Sequence, residues 1–166
     1  MGLWPLQEGE EMRKFAPVLL LLCSLFLTGC AALFSDSVSR DRIFSYVNEN
    51  REKLEALQDE EMKRTARSEK DDIKKALGYN TIVKNVYAYN DGILQFYCGG
   101  SGLSVNSTYT GFYYSRGDTP YAMEFDGCDL AETSPGIFEW QNEDGSHYIY
   151  TEKISENWYY YFQKYN

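Results

Sequence analysis

The sequence predicts an α+β fold: a charged helical segment toward the N-terminus, then an antiparallel meander of six to seven strands with the helix on one face. Three observations carry this. Between residues 40 and 78, Ile43, Val47, Leu54 and Leu57 recur at spacings of 4, 7 and 3, with Phe44 on the edge of the same stripe, which is helical periodicity. From Asn80 onward, short alternating runs are divided by turn residues, and Asn90-Asp91-Gly92 and Glu143-Asp144-Gly145 are tight-hairpin signals. Aromatic residues make up 16% of the chain, with 15 Tyr against 9 Phe and 3 Trp, a composition that suits pleated surfaces. At 166 residues, 43% hydrophobic and 25% charged, the chain has the size and composition of one globular domain behind its leader.

Residues 1–29 read as an export signal. Met12-Arg13-Lys14 is a short basic region, and translation is expected to start at Met12, because Glu8, Glu10 and Glu11 do not belong in such a region. The apolar run from Ala16 to Leu27 is shorter than the roughly 20 residues of a spanning helix. It ends in Leu27-Thr28-Gly29-Cys30. This resembles the lipobox of bacterial lipoprotein signals, in which Leu, a small residue and Gly precede an invariant Cys. The resemblance covers residues 12–30 only. It implies that Cys30 is diacylglycerated, that a peptidase cuts before it, and that the chain is held by lipid on the extracytoplasmic face of a membrane. More than one acyl chain makes such anchoring stable where a single chain is marginal.

Residues 30–39 form a lipidated tether containing Ser35, Ser37 and Ser39, the last a suitable helix N-cap. The helical segment, residues 40–78, carries seventeen charged residues between Glu49 and Lys75, which marks a solvated outer face laced with i,i+4 pairs. The apolar phase slips after Leu57 and resumes with Met62, Ala66, Ile73 and Leu77, so a break is expected near residues 58–61, with Gly78 as C-cap.

The Tyr-rich β domain spans residues 79–166, with strands expected at 82–89, 93–98, 109–115, 121–125, 137–141, 147–154 and 158–165. Its short connections suit antiparallel pairing. Alternation places Leu94, Phe96, Cys98, Phe112, Tyr114, Phe138, Trp140, Trp158, Tyr160 and Phe162 on one face, the expected core under the helix. The opposite face presents Tyr97, Tyr109, Tyr113, Tyr159 and Tyr161 as a half-wet binding surface. Beyond the lipobox, the domain loosely resembles small lipoproteins of Gram-positive bacteria, a likeness that implies no activity.

Once Cys30 carries lipid, Cys98 and Cys128 remain in an oxidising compartment, and a disulfide between them is expected. The Cys98-Gly99-Gly100-Ser101-Gly102 stretch reads as a flexible turn. Leu103 stands where a nucleophile elbow needs Gly, and no helix follows to bind phosphate. The only histidine, His147, has no identifiable nucleophile or acid to complete a triad. Glu124, Asp126 and Glu139 offer carboxylates for a small envelope hydrolase, the least favoured reading. The loops 126–129 and 142–145 lack calcium-loop spacing, so neither metal nor cofactor is expected.

From Gly78 onward eleven acids face four bases, a surface that repels phosphate and excludes nucleic acid as a partner. The expected function is a non-catalytic binding or accessory role at the cell envelope, toward an envelope protein or wall component. Its alternative is binding of a small ligand, wall sugar or peptide, by the tyrosine face. The address is testable directly: Cys30→Ala should abolish metabolic labelling by fatty acid and leave the chain uncleaved or free of the membrane. Equal labelling of wild type and variant would refute lipid attachment.

Overall fold

The computed structural model describes residues 37–61, 75–78, 80–89, 92–103, 106–123 and 128–166. All belong to one unit, Asp36–Asn166. The export signal, Cys30 and residues 62–74, which include Met62, Ala66 and Ile73, lie outside the described residues.

Two helices lead the domain, α1 (Arg40–Glu49) and α2 (Arg51–Glu61). Ser39 occupies the N-cap of α1 without a side-chain capping bond, and its carbonyl accepts from the Ile43 N–H at 3.1 Å. The helical break falls at Asn50, earlier than the apolar phase slip suggests, and residues 58–61 are helical. The cause is local. Asn50 leaves helical dihedrals (φ −113°, ψ 18°), and its side-chain amide donates to the Tyr46 carbonyl at 2.9 Å. An Asn that competes for the backbone in this way is a poor interior helix residue. Ile43, Val47, Leu54 and Leu57 are all buried, as their spacing requires.

The sheet has seven antiparallel strands: β1 (Asn85–Tyr89), β2 (Ile93–Leu103), β3 (Asn106–Ser115), β4 (Ala131–Ser134), β5 (Ile137–Gln141), β6 (His147–Ser155) and β7 (Trp158–Tyr165). Their spatial order is β1-β2-β3-β7-β6-β5-β4. Two meanders therefore meet at β3 and β7, and residues 116–130 carry the chain from the centre of the sheet to its far edge. Gly92 and Gly145 take the left-handed dihedrals (φ 76° and 71°) that their hairpins need. The segment 121–123 is not a strand; it crosses the sheet. The Gly99–Gly102 stretch is not a turn either, because β2 continues to Leu103 after a bulge at Cys98. A Cβ at Gly100 would lie 2.1 Å from the Thr108 carbonyl oxygen, so glycine there permits close strand approach.

The first core lies under the helices: Ile43, Val47, Leu54, Leu94, Phe96, Cys98, Phe112, Trp158 and Tyr160 pack together. Phe96 and Phe112 stack with centroids 4.7 Å apart. Each large side chain buried here contributes roughly 1.5–3 kcal/mol. Arg40 fastens α1 to the sheet by pairing with Glu152, which holds that carboxyl below its ordinary range. Arg51 fastens α2 by donating to Ser155 Oγ at 2.5 Å and to the Glu156 carbonyl at 3.2 Å.

A second core lies on the opposite face, where Ile93, Tyr113, Met123, Tyr159 and Tyr161 are buried, with Tyr121 and Phe138 packed against them. Phe138 thus belongs to this face and not, as its alternation suggested, to the helix face. The expected Cys98–Cys128 disulfide is not formed in this structure. Cys98 is buried in the helix-side core, whereas residues 121–123, upstream of Cys128, run over the other side of the sheet. Both cysteines are free thiols.

Residues 116–123 strap this second face. The Tyr121 N–H donates to Tyr113 Oη at 2.9 Å, Tyr113 Oη donates to Thr151 Oγ1 at 2.8 Å, and Thr151 Oγ1 donates to the Tyr160 carbonyl at 2.8 Å. Asp118 anchors the other end. It accepts from Lys153 Nζ at 2.6 Å, the Asn157 N–H at 2.8 Å and Tyr159 Oη at 3.1 Å, and Lys153 above all keeps its carboxyl below the ordinary range. Tyr113 and Tyr159 are therefore core, not binding surface. Truncating buried aromatics costs about 3–5 kcal/mol each, against a total stability of about 5–15 kcal/mol. The double variant Tyr113→Ser, Tyr159→Ser should lose its cooperative thermal transition by circular dichroism. A transition within a few degrees of wild type would remove these rings from the core.

Candidate functional site

The described strap, residues 116–123, covers only part of its face. Beside it, across β1, β2, β3 and β7, lies an open cleft of about 450 Å3 lined by Tyr87, Tyr89, Gln95, Tyr97, Ser107, Tyr109, Tyr161, Gln163 and Tyr165. Three of the five tyrosines read from the sequence as a binding face are brought together here: Tyr97, Tyr109 and Tyr161. Tyr109 is 40% exposed, and it meets Tyr97 at 6.2 Å and Tyr165 edge-on at 5.6 Å between centroids. Tyr87, Tyr89, Gln95, Ser107, Gln163 and Tyr165 were missed, though period-2 alternation from Tyr97, Tyr109 and Tyr161 reaches Gln95, Ser107, Gln163 and Tyr165.

A glycine makes room for one of the lining rings. Tyr97 on β2, Gly111 on β3 and Tyr161 on β7 stand opposite one another in a cross-strand row. A Cβ at Gly111 would lie 2.7 Å from Tyr161 Cε1 and 2.8 Å from its Oη, and also 2.1 Å from the Phe96 carbonyl oxygen. The Tyr161 ring therefore folds over the bare backbone of β3 and becomes the floor of the cleft instead of part of its wall. Its position is enforced by packing, yet its hydroxyl is buried and finds no well-aligned hydrogen-bond partner among the described residues. A buried hydroxyl left unpaired costs about 1–3 kcal/mol. Burial raises the pKa of this phenol well above its ordinary value, with Gln95 nearby moderating the rise, so it remains a neutral hydroxyl.

The two amides at the site are already half committed. Gln95 Oε1 accepts from Tyr89 Oη at 3.0 Å, which leaves its N–H groups as the remaining donors. Gln163 Nε2 donates to the Met123 carbonyl at 3.0 Å, tying the strap to the cleft and leaving Oε1 as an acceptor. No Asp, Glu, Lys, Arg or His is among the lining residues. The site can therefore present rings, hydroxyls and amides to a ligand, but no charge.

The other residues singled out from the sequence lie apart. His147 bonds within its own hairpin, its Nδ1 2.9 Å from Ser146 Oγ and 3.1 Å from Asn142 Nδ2. Glu139 on β5 accepts from Thr133 Oγ1 at 3.2 Å, while Glu124 and Asp126 lie outside the described residues. Asp144 accepts from the Ser146 N–H at 2.9 Å, a turn-stabilising contact. Among the described residues, no group of three or more His, Cys, Asp or Glu could hold a metal ion, and no helix is long and apolar enough to cross a membrane.

No protein-family model, curated protein or solved structure matches this chain. The site accordingly stands on its own geometry. Gly111→Ala should destabilise the domain by about 1–3 kcal/mol, as overpacking does, measured as a lower denaturant midpoint. An unchanged midpoint would mean that the Tyr161 ring does not depend on this glycine.

Proposed function

We propose that this chain is a lipid-anchored protein of the cell envelope that holds a ligand, without catalysis, in the tyrosine cleft of its sheet. One observation carries the reading: a concave site of about 450 Å3, lined by six tyrosines, two glutamines and a serine. That volume and that mixture of ring faces with a few convergent polar groups are what ligand sites offer. Tyrosine supplies contact area at low entropic cost, which suits recognition. The lipobox at Leu27–Cys30 supports placing the domain on the extracytoplasmic face of a membrane, within reach of wall material.

The double variant Tyr97→Ser, Tyr109→Ser tests this reading, because both rings line the cleft outside the buried clusters. The full-length wild type in detergent should co-sediment with isolated bacterial cell-wall material, and the variant should remain in the supernatant with its circular dichroism unchanged. Wild type that stays in the supernatant, or a folded variant that still sediments, would refute the assignment.

A further inference from the structure

We propose that segment 152–157, the end of β6 and its turn into β7, is a two-sided clasp through which the helices and the strap open together. Polar contacts from both covers converge on it. On the helix side, Arg40 of α1 pairs with Glu152, its Nε 2.6 Å from Oε2, and Arg51 of α2 donates to Ser155 Oγ and the Glu156 carbonyl. On the strap side, Asp118 accepts from Lys153 Nζ and from the Asn157 N–H. Glu152 and Lys153 are neighbours on one strand, so alternation sends them to opposite faces.

The segment is irregular. Its register against β7 shifts between Lys153 and Ser155, and Asn157 takes the left-handed backbone (φ 65°) that is uncommon outside glycine. Asn157 also exchanges bonds with the root of the strap: its Nδ2 donates to the Ser115 carbonyl, and the Ser115 N–H donates to its own carbonyl, both at 2.8 Å. Whichever cover seats first orders the segment for the other, and ordering already accomplished is not repeated. That is positive coupling without any second structure. Taken singly the ion pairs are weak, because Lys153 and Asp118 are 37% and 35% exposed and such pairs contribute little. Their convergence on six residues is what links the covers.

The strap also borders the cleft, since the Tyr121 ring lies 5.9 Å from that of Tyr89 and Met123 is bonded by Gln163. Loosening at the helices would therefore reach the cleft wall. The coupling itself goes beyond the binding reading and does not require that the cleft hold a ligand.

Hydrogen exchange on the full-length chain in detergent tests the clasp from both sides. The Leu54 amide, bonded to the Asn50 carbonyl at 3.0 Å, reports the helices, because a helix of 11 residues released from the sheet unravels in water. The Tyr121 amide reports the strap. Asp118→Asn keeps a residue that tolerates the local backbone (φ 50°) but removes the charge facing Lys153. It should speed Leu54 exchange by about threefold or more beyond what its loss of global stability in a denaturant melt accounts for. Arg40→Leu should do the same to Tyr121, and reciprocity requires a similar factor. Tyr121→Ala, which loosens the strap away from the clasp, should speed Leu54 only as far as global stability dictates. Leu54 exchange in Asp118→Asn that global stability fully explains, or Tyr121 exchange unchanged by Arg40→Leu, overturns the clasp. An equal excess in Tyr121→Ala overturns it too, by routing the coupling through the sheet.

Discussion

Strand β7 is buried on both sides, and most of the architecture answers to that. Trp158, Tyr159, Tyr160 and Tyr161 are consecutive, alternate between faces, and are all excluded from water. A strand of this kind demands a cover above and below the sheet. The helices supply one through Ile43, Val47 and Leu54, and the strap at residues 116–123 supplies the other through Tyr121 and Met123. Placing β7 against β3 puts it at the centre of seven strands, where both covers reach it. The long excursion of the chain to β4 is then a requirement, since the strap must cross the sheet somewhere.

The two covers differ in kind. The helix side is apolar and is pinned at its rim by Arg40 and Arg51. The strap side is held by directed hydrogen bonds between buried hydroxyls, with Thr151 passing the sequence from Tyr113 to the Tyr160 carbonyl. Such a relay needs every member, which explains tyrosine at 113 where phenylalanine would satisfy packing alone. Among the described residues the strap does not extend over the cleft, and Tyr109 there stays exposed. Recognition and core are thus built from the same residue type on the same face, separated only by what lies over them.

That separation is why the sequence is legible in part. The helix stripe is plain because Ile43 to Leu57 follow one period, and the hairpins are plain because Gly92 and Gly145 mark them. The strap is not, since Tyr121-Ala122-Met123-Glu124-Phe125 alternates like a strand, and alternation says nothing about pairing. β4 escapes for the opposite reason: Ala131–Ser134 is an exposed edge with no apolar face to read. The glycines of β2 look like a turn until Thr108 is seen to approach Gly100. Tyr97 and Tyr109 were separable from Tyr113 and Tyr159 only once the strap had a position.

The two thiols acquire different uses from their surroundings. Cys98 lies at a bulge in the helix-side core, where burial pushes its pKa far up, so almost no thiolate exists to react. Cys128 is only partly covered. A modifying reagent would reach Cys128 in the native molecule and Cys98 only when the helices lift from the sheet. The pair is therefore a built-in chronometer, one thiol counting encounters with solvent and the other counting openings of the core.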